Sequence, residues 1–219
     1  MLGGREETVL LLYAIVAGLL VGRLAGGRAR NLEGVTFAWW RLALAGLAVQ
    51  LILFAGPVAE RVGPEGPVIY VASTLAVMAA LLRNLVRPST IRPGLAIIAV
   101  GATLNLIPVI ANGGTMPSAP EAWLALNGVA ALPIGHFSNG VLIGPHTLFP
   151  FLGDIFVWPR PLPLANVFSL GDAIIAVGAV AVLKAAMRPL ETRPGHGRDA
   201  ERSSEPPSLI ASAPRPSHR

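Results

Sequence analysis

PGLAIIAVGATLNLIPVIA, residues 93–111, runs for 19 residues without a charge. At about 1.5 Å per helical residue it is roughly 28 Å long, close to the roughly 30 Å hydrocarbon core of a bilayer. Four more apolar runs, each with one or two charges, qualify or nearly do: 8–25 (TVLLLYAIVAGLLVGRLA), 37–56 (FAWWRLALAGLAVQLILFAG), 67–86 and 168–187. A sixth stretch, 123–134 (WLALNGVAALPI), has 12 residues with Gly128 and Pro133 in it, which suits an interfacial or re-entrant segment.

Composition agrees. Of 219 residues 53 % are hydrophobic and 13 % charged, and mean hydropathy is +0.62. A soluble domain carries about 25 % charge, so an ordinary soluble domain is excluded, as is a disordered or collagen-like chain. The net charge is +5. The basic residues fall between the apolar runs rather than along one helix face, which argues for membrane topology and against nucleic acid. With no cysteine there is no disulfide, thiolate metal site or Cys nucleophile.

The arginines set the orientation. Arg23, Arg28, Arg30, Arg41, Arg83, Arg87, Arg92, Lys184, Arg188 and five tail arginines fall on one side of an alternating five-span thread, 14 in all. Arg5, Arg61 and Arg160 fall on the other. By the positive-inside rule the N-terminus lies outside and the C-terminus in the cytoplasm. The first run follows Arg5-Glu6-Glu7 and leads into Arg23 rather than a small-residue cleavage site, so it reads as a retained span. Trp39, Trp40 and Arg41 suit an interfacial anchor. The expected fold is an all-α bundle of five spans in a bacterial cytoplasmic membrane, domain 1–187, with a disordered tail, 188–219. That tail has six Pro, six Arg and three of Leu, Ile or Val, too little to bury.

The 55-residue loop 111–165 holds six of the 13 aromatics and eight prolines. A turn-rich, aromatic, weakly charged loop should fold back on the outer face as a structured lid. Pro120-Glu121 reads as a short helix start. Within the runs, Gln50, Ser73, Thr74, Thr103 and Asn105 fall at a similar depth in the outer half. They read either as interhelical hydrogen-bond glue or as the lining of a pocket that opens outward. Ser169-x-x-Asp172 before an apolar run is a capping box. Asp154 has no such cap and would pair with Arg160. Asn112-Gly113-Gly114 reads as a turn ending the fourth span, with an anion nest as the alternative.

Nothing points to a metal or cofactor. His136, His146 and Asp154 lack helical ligand spacing, and Ser138, His146 and Asp154 lack a nucleophile-elbow motif. There is no phosphate-loop or dinucleotide fingerprint.

Four stretches carry a resemblance: Gly27 to Trp40 (GRARNLEGVTFAWW), Asn105 to Ser118 (NLIPVIANGGTMPS), Phe149 to Asp154 (FPFLGD) and Asn166 to Asp172 (NVFSLGD). Over about residues 8–188 the chain resembles uncharacterised bacterial membrane proteins catalogued as domain of unknown function 5317. The resemblance implies fold and boundaries, and singles out Asn31, Asn84, Asn105, Asn112, Met116, Pro117, Asp154, Asn166, Ser169 and Asp172 as positions to test. The expected function is non-enzymatic. A lipid or partner would bind at the outer face, under the 111–165 loop, at Asn105, Asn112, Asp154, Asn166 and Asp172. Membrane lipids are the expected partners. A small transporter needs a polar path into the cytoplasmic half. A membrane-embedded enzyme needs Asp154 or Asp172 close to another titratable group.

Overall fold

The computed structural model describes residues 6–127, 139–158, 163 and 165–188. Gly128, Pro133, His136, Ser138, Arg160 and the tail beyond Arg188 lie outside them, and with them the expected Asp154–Arg160 pair, the end of the sixth stretch and the expectation of disorder over 188–219. Each of the five apolar runs forms a helix. In chain order the helices are α1 (Glu6–Leu24), α2 (Trp40–Leu53), the single turn α3 (Gly56–Ala59), α4 (Gly66–Leu85), α5 (Arg92–Ala111), the short α6 (Pro120–Asn127) and α7 (Leu170–Ala186). Two of them, Gly63–Leu85 with its leading 3-10 turn and Arg92–Ala111, are long and apolar enough to cross a membrane.

The all-α expectation needs one correction. Between α5 and α7 lie four three-residue strands: β1 (Met116–Ser118), β2 (Gly140–Leu142), β3 (Phe156–Trp158) and β4 (Asn166–Phe168). β1 pairs in parallel with β2, and β3 pairs antiparallel with β4, Phe156 opposite Phe168. The segment leaves the helices carrying backbone groups that need partners, and pairing supplies them. Trp123 and Leu126 of α6 and Val167 of β4 form its own small core. The strap is fastened at Asp154, whose N–H donates to Pro117 O at 2.8 Å while its carbonyl accepts from Ala119 N at 3.0 Å.

Space does not follow chain order. The packed neighbours are α1 with α7, α7 with α5, α5 with α4, and α4 with α2. The last helix therefore lies between the first and α5. Helix α7 runs parallel to α1, with Gly18 against Val180 and Leu183 and Gly22 against Met187, and antiparallel to α5. Four glycines set the α5–α7 separation: Gly101 faces Gly171, and Gly94 faces Gly178. A Cβ on Gly101 would lie 2.5 Å from Gly171 O, and one on Gly94 2.7 Å from Val182 N, so the two backbones touch where no side chain fits.

Arg23, Arg83 and Lys184 lie in the last turns of α1, α4 and α7, and Arg92 begins α5; with these helix directions all four collect at one end, here the basic end. It is tied by asparagine. Asn84, 4 % exposed, accepts from Ala38 N and donates to Ala38 O, both at 2.8 Å. Asn31 Nδ2 donates to Met187 O at 2.8 Å, and Arg28 N donates to the same oxygen at 2.9 Å. At the opposite end, the loop end, Asn112 works likewise. It donates to Leu148 O at 2.8 Å and accepts from Leu148 N at 3.0 Å, fixing the strand-bearing segment to the end of α5.

Candidate functional site

Helix α7 begins at a full cap. Ser169 is extended (φ −95°, ψ 169°) and wholly buried. Its Oγ accepts from Asp172 N at 3.0 Å, and Asp172 Oδ2 accepts from Ser169 N at 2.9 Å. Reciprocal bonding of this kind satisfies two end-of-helix donors, and the carboxylate sits where the helix dipole is positive. Asn105 of α5 reaches the same cap. Its Nδ2 donates to Asp172 Oδ1 at 2.6 Å. Ser169 Oγ lies 2.7 Å from Asn105 Oδ1 and 2.8 Å from Asp172 Oδ2, so its one hydrogen serves either acceptor. The approach depends on Gly171, where a Cβ would overlap Asn105 Oδ1.

This cluster is the polar end of a cavity of about 240 Å³. Gln50 and Thr74 form the facing polar wall, Gln50 Nε2 donating to Thr74 Oγ1 at 3.0 Å and Thr74 Oγ1 to Tyr70 O at 2.9 Å. Apart from Tyr70, the rest of the lining is apolar and comes from all five long helices, among them Leu10, Leu47, Met78, Ile98 and Ala176. Leu11 of α1 and Leu47 of α2 both line it while 41 % and 46 % exposed. No packed interface joins α1 to α2 among the described residues. The cavity therefore opens sideways, through the gap between these helices.

Next to it is a void of about 20 Å³, bounded by Tyr70, Asn105, Val109, Met116, Asp154, Val167 and Asp172. That is room for one water. Asp154 and Asp172, 18 residues apart in the chain, meet across it. Tyr70 lines both spaces, its hydroxyl accepting from Asn139 Nδ2 at 3.3 Å. Tyr70 is the residue that the sequence reading passed over; a hydroxyl inside an apolar run was the available signal.

Of the five polar residues within the apolar runs, Gln50, Thr74 and Asn105 line the cavity. Ser73 is buried, with Oγ donating to Tyr70 O at 2.8 Å, and lines neither space. Thr103 is exposed and donates to Ala99 O at 2.8 Å. Of the other proposed ligand residues, Asp154 and Asp172 reach the spaces, whereas Asn166 is buried in β4 and Asn112 is engaged with Leu148. Gly113 and Gly114 have φ of 70° and 90°, the left-handed turn expected where α5 ends.

No curated protein and no solved structure matches the chain. The sequence profile of a family of unknown function, DUF5317, covers residues 34–183, beginning after α1 and after the first part of the 27–40 stretch. That is more than half of the 219 residues, and the chain belongs to this family.

Proposed function

We propose that this protein is a five-span integral membrane protein that holds a single-chain amphiphile from the bilayer, its polar end at Gln50, Thr74, Asn105 and Asp172. Burial supports the membrane setting. In Gly63–Leu85 and in Arg92–Ala111 only 28 % of the most apolar stretch is buried, and Leu20, Leu51 and Val100 stand 55–66 % exposed. A water-soluble fold would cover such surface. Helix α2 has 14 residues, about 21 Å. Exposed Trp39 and Trp40, with Arg41 5.4 Å over the Trp40 ring, would anchor its short end at the headgroups. The basic end is cytoplasmic and the strand-bearing segment lies outside.

The observation that carries the binding reading is the sideways-opening cavity with a polar head and an apolar body. At about 240 Å³ it exceeds the roughly 150 Å³ void that takes benzene but falls below the range for drug-sized ligands. One acyl-type chain segment fits; a two-chain phospholipid body does not. Conduction is disfavoured because Met78, Leu81, Ile91, Leu95 and Ala99 pack together toward the basic end. The shared void of Asp154 and Asp172 favours acid–base chemistry as a second reading, but it has space for a water and none for a substrate.

Lipid analysis of the purified protein tests the proposal. Wild type should carry a single-chain amphiphile near one per chain, and Leu47→Trp, which fills the mouth, should lose it while the surrounding phospholipid is unchanged. Identical lipid profiles would contradict it.

A further inference from the structure

We infer that the head of the bound amphiphile is uncharged and hydroxyl-bearing, as in a monoacylglycerol; the inference rests on the cavity-binding reading above. The first argument is charge. Among the described residues no Lys, Arg or His lines the cavity or the void beside it, whereas Asp172 lines both. A phosphate or carboxylate head would leave water for a site whose described lining holds the Asp172 carboxylate and no cationic side chain, which is costly.

The second argument is the balance of unused hydrogen-bonding atoms. Among the described residues, Gln50 Oε1 accepts from no group, and Asp172 Oδ1 accepts only from Asn105. The second N–H of Gln50 Nε2 and that of Asn105 Nδ2 donate to no protein group. The site thus offers both acceptors and donors. A hydroxyl both donates and accepts, so it matches the two kinds together. An ammonium only donates and would leave the amide hydrogens unmatched. Nor is a cation needed to settle Asp172, which already has the α7 N-terminus, Ser169 and Asn105 around it.

Three probes that share an 18-carbon monounsaturated chain and carry different heads distinguish the cases: 1-oleoylglycerol, oleyl phosphate and oleylamine. Each is titrated into phosphatidylcholine nanodiscs holding the full chain, and retention is read by native mass spectrometry after release. Oleoylglycerol should be retained at about tenfold lower concentration than either charged probe, and Gln50→Leu should weaken its retention by about tenfold. Leu51→Ala, on the exposed face of α2 and outside the lining, should change nothing. Melting temperature shows that each variant is folded. Equal or stronger retention of oleyl phosphate or oleylamine overturns the head-group inference and leaves cavity binding standing. Retention of no probe, or oleoylglycerol retention indifferent to both Gln50→Leu and Leu47→Trp, overturns both.

Discussion

Asn105 Nδ2 donates to Asp172 Oδ1 at 2.6 Å, joining α5 to the first turn of α7 across 67 residues of chain. The bond ends on a carboxylate, and such bonds are worth roughly 1.5–3 kcal/mol. Asn105→Leu should therefore destabilise by about 2 kcal/mol, and more than a change on the exposed face of α5 such as Thr103→Val. In a double-mutant cycle with Asp172→Ala the coupling should be about 1 kcal/mol, since removing the carboxylate also removes the need for its donor. Denaturant unfolding of the purified protein gives both quantities. Strict additivity would mean that the two side chains act independently.

Gly101→Ala sets two effects against each other. Alanine improves helix propensity by up to about 1 kcal/mol, but its Cβ would sit 2.5 Å from Gly171 O and 2.9 Å from Ile175 N. Overpacking against backbone costs about 1–3 kcal/mol, so packing wins and the melting temperature should fall. A rise would mean that α5 and α7 lie further apart than described.

Asn84 tests the basic end. Asn84→Leu leaves both Ala38 N and Ala38 O without the partners they have now, at a cost of about 2–4 kcal/mol. Asn84→Asp keeps the acceptor for Ala38 N but brings carboxylate oxygen against Ala38 O and Ala80 O, where Nδ2 now donates. It should be destabilising despite its matching shape. Thermal melting at neutral pH compares the two variants with wild type.

Asn112→Ala should act locally. It frees both backbone groups of Leu148 without touching the cavity lining. Hydrogen exchange at Leu148 N should accelerate and proteolysis within 139–158 should rise, while melting shifts by no more than about 1 kcal/mol.

What the sequence disclosed follows the range of each signal. Apolar runs are local, and all five became helices, with ends displaced where no local signal marks them. Helix α2 begins at Trp40 rather than at 37 because Trp39 is left-handed (φ 59°) and caps nothing with its side chain. By contrast Ser169-x-x-Asp172 spells its own cap, and Pro120 stands at the start of α6. Depth along a helix was readable, but azimuth was not. Thr103 and Asn105 differ by two residues, about 200° around the helix, so one faces outward while the other reaches the cavity. The short strands were hidden because three residues hold too little alternation, and Met116-Pro117-Ser118 contains a proline. Their pairing depends on distant segments meeting. Tyr70 was missed because it counts as apolar in a span, although its hydroxyl is what bonds Asn139.

Accessibility of introduced cysteines tests the central claim, that these helices thread a membrane with the cavity's polar end beneath an external segment. The chain has no cysteine of its own. Exposed Glu121 lies in the first turn of α6 at the loop end, and exposed Glu33 lies in the 3-10 turn Ala29–Gly34 at the basic end. In intact cells a membrane-impermeant maleimide should label Glu121→Cys and reach Glu33→Cys only after the membrane is opened. Labelling of both in intact cells, or of Glu33→Cys alone, would contradict the account.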